Sequence, residues 1–328
     1  MNQKIQIKDI YGTPYQRGLQ SGSFFENRVD INLDGIVSFM HNHKEAVDQM
    51  HFSSMQLQKE YPEYYEEMIG KADGLKTDRD VYMMLMHPEI LAKGHESCST
   101  IMVRNADGTF SLYHNEDDVY RKGNVSFVRV HTHNGWFITN DMYNMPFGNG
   151  VIIHQSGLVR CINYCFDQRH DGFSRYFCQR HIAEASSYDE LKSRAHQMIP
   201  SSGYHVNVID HDHAFSMEVR HDDIYTKEVS DVVVHTNHFM YDIPRNSWNE
   251  EPLGNSIFRY EKIIREMEAD KDYEEILSMH TDDPMTSIFQ CHSNANRTLF
   301  RFIYDGCHHT CSITEFEQGN TITIKEAL

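Results

Sequence analysis

At 328 residues the chain is long enough to bury a substantial core, in one large domain or two small ones. Its formal net charge of −18 argues against a sequence-independent grip on nucleic acid, which needs clustered Lys and Arg, and against attraction to an anionic membrane surface. With 22 histidines, the acidic character weakens as pH falls towards about 6.

The first 97 residues read as a short leading strand, Ile5 to Ile10, followed mostly by helix: from Gln16 to Gly22 onwards, His41 to Met50, and Tyr61 to Ala72, with Leu85 and its neighbouring methionines continuing the pattern towards Pro88. From Cys98 the pattern changes to strands and hairpins. Ser126 to His131 and Trp136 to Asn140 flank the turn His133-Asn134-Gly135, and Gly150 to His154 joins Leu158 to Tyr164 across Gln155-Ser156-Gly157. Two amphipathic helices follow, Ser174 to Ala185 and Tyr188 to Met198, then strands Tyr204 to Ile209, Ala214 to Arg220 and Val232 to Thr236. Helices return at Gly254 to Met267 and Tyr273 to Met279, and the chain closes with strands Thr298 to Tyr304, His309 to Thr314 and Thr321 to Lys325. Strands grouped on either side of a helical pair predict a mixed class with layered packing and largely antiparallel sheets.

No continuous apolar stretch near Met1 resembles a signal peptide, and no run is long enough for a bilayer span. Seven scattered cysteines, an odd number, do not form a disulfide framework. The expected compartment is a reducing cytoplasm, which leaves thiols available for chemistry.

One thiol stands out. Cys98 opens a strand that turns through Asn105-Ala106-Asp107-Gly108 into Thr109 to Asp118. If Arg104 and Thr109 flank a four-residue turn, Cys98 falls opposite Asn115, with Asp117 two residues on at the open end of the hairpin. A thiol beside an amide and a carboxylate is material for a nucleophilic site. The plain reading is a small buried Cys and ordinary turn-forming Asn and Asp. Asn237, at the end of Val232-Val233-Val234-His235-Thr236, reads on its own as a strand-terminating amide.

Four segments in order alter that balance. Tyr11-Gly12-Thr13-Pro14-Tyr15-Gln16-Arg17-Gly18-Leu19-Gln20-Ser21-Gly22, Tyr61 to Leu75 with its Glu66-Glu67-Met68-Ile69-Gly70-Lys71-Ala72-Asp73-Gly74 core, Gln155 to Val159, and Thr236-Asn237-His238-Phe239 together resemble the acyl-coenzyme A:6-aminopenicillanate acyltransferase family. These are cysteine N-terminal-nucleophile enzymes, related more distantly to choloylglycine hydrolases. The resemblance implies a four-layer αββα fold with a helical N-terminal segment, 1–97, and a catalytic part, 98–328. It implies self-cleavage between Ser97 and Cys98, after which the new α-amine serves as base for the thiol, its pKa of about 7.7–8.0 suiting the role. Asp117 would orient that amine, Asn115 would position the strand end, and Asn237 would donate to an oxyanion. Arg297 aligns with a late family Arg. No cofactor or metal is implied.

Two departures bear on this. Ser97 stands where the family commonly has Gly, and a side chain there could hinder the strained conformation that cleavage needs. His114 and Glu116 replace an Arg and an aromatic, giving an acidic, imidazole-bearing substrate mouth that favours a cationic or amine-containing substrate. The expected reaction is hydrolysis or transfer of an acyl group at a linear amide through a thioester on Cys98. The partner is a small-molecule amide or acyl donor, with no nucleic acid or membrane, the cleaved segment retained, and a homo-oligomer left open. Two rivals stand: an uncleaved, inert binding protein, and a metal-dependent hydrolase using His131 and His133, His211 and His213, or Cys307 to Cys311.

Overall fold

The computed structural model describes residues 6–26, 28–29, 33–91, 97–165, 167, 169–243, 255–291, 296–317 and 319–325. Strand β1 (Ile7–Ile10) leads into five helices, α1 (Pro14–Phe25), α2 (Asp34–Asn42), α3 (Lys44–Glu60), α4 (Pro62–Gly74) and α5 (Arg79–Leu85). Strands β2 (Ser97–Arg104), β3 (Phe110–Val119), β4 (Ser126–Thr132), β5 (Gly135–Asp141), β6 (Val151–His154) and β7 (Val159–Tyr164) follow. After α6 (Arg175–Ile182) and α7 (Tyr188–Gln197) come β8 (Tyr204–Asp210), β9 (His213–Val219), β10 (Ile224–Glu228) and β11 (Val232–His235). The chain ends with α8 (Ser256–Glu268), α9 (Tyr273–Leu277), β12 (Asn296–Asp305), β13 (Thr310–Glu315) and β14 (Asn320–Ile324). Strand β10, with Thr226, Lys227 and Glu228 exposed, lacks the apolar alternation that marks the others, and the sequence pattern misses it. Ile5 and Gly254, the expected starts of the first strand and of α8, lie outside the described residues.

The strands form an eight-stranded sheet ordered β1-β4-β5-β6-β7-β8-β9-β10 and a six-stranded sheet ordered β11-β2-β3-β12-β13-β14. Pairing is antiparallel except for β1 with β4. The two sheets pack face to face: Phe127 of β4 meets Phe300 of β12 edge-on, and Thr100 of β2 reaches Asn163 of β7. Outside the smaller sheet, Ile101 and Val234 pack with Ile263 of α8 and Ile276 and Leu277 of α9. Outside the larger one, Val128, Val130, Phe137 and Ile152 pack against Ala183 at the end of α6. The expected αββα layering and largely antiparallel sheets are therefore present. Among the described residues, no helix is long and apolar enough to cross a membrane.

Helices α1 and α4 cross closely, and side chains of α4 tie the N-terminal helices to the sandwich. Thr13 and Gln16 form a capping box and Pro14 starts α1. Gly18, Gly22, Gly70 and Gly74 of the two opening motifs then serve packing rather than turns. A Cβ on Gly18 would sit 1.9 Å from the Glu67 carbonyl, and one on Gly70 2.0 Å from that of Tyr15. This approach leaves the charged side of α4 buried against the sheet. Lys71 Nζ donates to Asp141 Oδ1 at 2.7 Å and to the carbonyls of Met142 and Met145. Glu67 accepts two bonds from Arg180 of α6, at 2.6 and 2.9 Å.

Candidate active site

Cys98 is the second residue of β2, which lies between β11 and β3 in the smaller sheet. The hairpin register differs from the expected one by a residue: Cys98 pairs with Glu116, Ser99 with Asn115 and Ser97 with Asp117. The turn explains the difference. Gly108 N donates to Asn105 O, and Asn105 N donates to Thr109 O at 2.7 Å, so the loop is the three residues Ala106-Asp107-Gly108. Gly108 takes a φ of 92°, which fits a type I turn closed by a left-handed bulge residue. Asp107 Oδ1 accepts from the Thr109 backbone N–H and hydroxyl, fixing that closure.

A one-residue slip exchanges the faces of a strand. The Cys98 side chain therefore shares the inter-sheet face with His114 and Glu116, while Asn115 and Asp117 face the helices. Asn115 Nδ2 donates to Leu277 O at 2.8 Å, and its Oδ1 accepts from Arg301 Nε at 2.9 Å, so it anchors β3 to α9 and β12 without meeting the thiol. Asp117 accepts from the Ser97 hydroxyl at 3.1 Å and the Thr298 hydroxyl at 2.7 Å. Burial pushes its carboxyl up to about 6, opposed chiefly by the Arg259 charge and by those two hydroxyls.

His114 and Glu116 do not form an open mouth. Their side chains are 0% and 8% exposed, and His114 Nε2 lies 2.9 Å from Glu116 Oε2. The inward face of β3 encloses both, and Glu116 is already hydrogen-bonded to His114, so the basis for expecting a cationic substrate is withdrawn. His114 Nδ1 sits 2.8 Å from Thr100 Oγ1, which joins Asn163 and Asn207 in a buried polar layer between the sheets.

Asn237 reaches Cys98 from the other side. Strand β11 pairs with β2 from Val232↔Val103 to His235↔Thr100, and continuing that ladder past His235 brings Asn237 level with Cys98. Cys98 N–H donates to Asn237 Oδ1 at 3.1 Å, and Asn237 Nδ2 donates to Tyr164 O at 2.8 Å. Arg259, which the sequence motifs do not single out, completes the cluster. Its fully buried guanidinium donates to Cys98 O at 2.5 Å, Ser99 Oγ at 2.8 Å, Asn237 Oδ1 at 2.6 Å and Asn255 Oδ1 at 2.8 Å. A signal is present in the sequence: Arg259 falls four residues before Ile263 on the buried face of α8, and an Arg on an apolar face needs partners.

The structure thus gathers Ser97, Cys98, His114, Glu116, Asp117, Asn237 and Arg259, with Asn115 one layer out. Arg297 pairs across the ladder with Asp118, and its guanidinium stacks 4.4 Å from the Tyr120 ring beside a cavity of about 250 Å³. The histidine spacings considered for metal are dispersed. His131 bonds Asp9, His213 bonds Glu228, and His308 bonds Asp305, while His133 and His211 sit exposed in turns.

A two-sheet sandwich with a buried cysteine near the head of a central strand, its amide and carbonyl both held by side chains, defines the class. Residues 97–320 match the family model for acyl-coenzyme A:6-aminopenicillanic acid acyl-transferase, and the chain belongs to that family. A search of curated proteins gives no significant match. Among solved structures the chain is similar to a mutant of conjugated bile acid hydrolase from Clostridium perfringens, at 13% identity and a TM-score of 0.45 over 69% of this chain and 92% of that one. It is also similar to penicillin V acylase from Agrobacterium tumefaciens, at 10% identity and a TM-score of 0.39 over 69% and 86%.

Proposed function

We propose that the chain is a self-processing N-terminal-cysteine amidohydrolase or acyltransferase acting on linear amides. The observation that carries this reading is the bracing of the Ser97–Cys98 junction: Ser97 against Asp117, the Cys98 amide on Asn237 and the Cys98 carbonyl on Arg259. In maturation the Cys98 thiol attacks the Ser97 carbonyl, the C–N bond breaks as the thioester forms, and the released nitrogen takes up a proton. Water then cleaves the thioester, leaving a carboxylate on Ser97 and a thiol and new amine on Cys98. Asp117, which pairs across the ladder with the neighbouring Ser97, then holds that amine.

In turnover the amine takes the proton of the thiol as it attacks the substrate amide. Asn237 and Arg259 stabilise developing negative charge, each donor of this kind contributing roughly 2.7–4 kcal/mol. The acyl group leaves the thioester to water or to an amine, and hydrolysis is the favoured outcome. The buried bonds of Lys71 to Asp141 and of Glu67 to Arg180 support retention of the cleaved N-terminal segment. The reaction requires a reduced thiol, so we place it in a reducing compartment such as the cytoplasm.

The test is the intact mass of the purified protein under denaturing conditions, beside its Cys98→Ala variant. Chains of 97 and 231 residues only when Cys98 is present support the proposal. A single 328-residue chain in both would favour the second reading, an uncleaved binding protein. That reading draws on the same bracing, which also stabilises the intact junction.

A further inference from the structure

His114 and Glu116, two residues apart on β3, share one face of the sheet, and Cys98 pairs directly with Glu116 across the ladder. One donor atom from each, the Cys98 sulfur, a His114 ring nitrogen and a Glu116 carboxylate oxygen, all lie within 4.8 Å of one another, and all three residues are buried. Thiolate, imidazole and carboxylate together form a donor set suited to zinc. Around a tetrahedral ion, bonds of about 2.0–2.3 Å put ligand atoms roughly 3.3–3.6 Å apart. Closing the trio therefore takes at most about 1.5 Å of side-chain movement.

The imidazole is already oriented for this. The Thr100 hydroxyl donates its single proton to Asn163 Oδ1 at 2.9 Å, so its oxygen accepts from His114 Nδ1–H at 2.8 Å. That leaves Nε2 as the ligand atom, turned towards Glu116 at 2.9 Å. A hydroxyl or carbonyl fixing the far nitrogen is the usual outer support of a metal-bound histidine. Without metal, one proton lies between Nε2 and the carboxylate. A divalent cation takes its place.

We propose that Cys98, His114 and Glu116 form a binding site for a borderline-soft divalent cation of the Zn²⁺ type, with water as the fourth ligand. Binding releases two protons, that of the thiol and the one shared by His114 and Glu116, and involves no redox change. The sulfur lone pair is then committed to the metal, so Cys98 is either a ligand or a nucleophile, never both. The site is assembled across the hairpin by the β2–β3 register and owes nothing to the His-x-His spacings elsewhere.

Co²⁺ serves as the spectroscopic probe, using full-length chain with the exposed Cys291 and Cys307 changed to Ser. The expected result is one Co²⁺ per chain, with a thiolate-to-cobalt charge-transfer band and tetrahedral d–d bands, displaced by Zn²⁺. Cys98→Ala should abolish the charge-transfer band. Glu116→Gln keeps a hydrogen-bonding partner for His114, and Thr100→Val only releases the ring; each should weaken binding at least tenfold. Circular dichroism establishes that each variant is folded. The proposal is overturned if the parent shows no charge-transfer band, if the band survives in Cys98→Ala, or if both other variants bind as tightly as the parent. None of these readings depends on chain cleavage or turnover.

Discussion

Arg259→Lys isolates the contribution of the guanidinium fork. Lysine keeps the buried positive charge but cannot reach Cys98 O and Asn237 Oδ1 together, as the two Arg259 terminal nitrogens do at 2.5 and 2.6 Å. A hydrogen bond from a charged donor contributes roughly 1.5–3 kcal/mol, and losing one of the two while keeping the other removes that amount. If those bonds hold the junction and Asn237 in the reactive arrangement, the loss falls on the transition state. At about 1.36 kcal/mol per tenfold, maturation and kcat/KM should each drop by roughly 10- to 150-fold. Chain splitting is followed in a cell-free synthesis reaction, quenched at intervals and read by denaturing intact mass, with turnover measured on a model acyl amide. A thermal melt checks the fold. A folded Lys variant that splits and turns over within threefold of wild type would show that Arg259 is only structural, and the reasoning fails.

Asn237→Ala should lower kcat by about 10²–10³ if its amide donates to an oxyanion in the matured enzyme; a decrease below threefold would assign it solely to bracing Cys98. Ser97→Gly removes a side chain and its hydrogen bond to Asp117 in the uncleaved chain, so it should speed maturation by up to about tenfold. An unchanged splitting rate would remove that role. A separate test concerns acid stability. Burial holds the His87 imidazole down at about 4, with its Nδ1 bonded to Met83 O at 2.7 Å. A depressed folded-state value means the contribution is full above the ordinary 6.5 and is lost as pH falls towards 4, a change of roughly 3 kcal/mol. His87→Asn, which keeps a donor for Met83 O but does not titrate, should flatten urea-unfolding stability between those pH values; an unaltered slope would contradict the assignment.

The layering was legible because alternation and amphipathicity report which face of each element is buried, and that information is local. Strand β10 shows the limit: an edge strand with exposed Thr226, Lys227 and Glu228 gives no apolar pattern to read. The hairpin register shows another. A four-residue and a three-residue loop are both compatible with Asn-Ala-Asp-Gly, and the choice rests on whether Gly108 closes the turn in the left-handed region. That choice moved Asn115 away from the thiol and brought Glu116 beside it.

Sequence alone determined the family, the nucleophile candidate and the elements that carry it, since these depend on residue identity, order and local period. Tertiary structure decided how the thiol is surrounded: it brought Arg259, His114 and Glu116 to it and set the contact that Asn237 makes. Arg259 lies 161 residues from Cys98 along the chain, and Asn237 lies 139. Both arrive through packing of α8 and pairing of β11, so no local pattern encodes their meeting. His114 and Glu116 depended on a one-residue register, and a sheet turns that single step into the difference between facing the outer helices and facing the nucleophile.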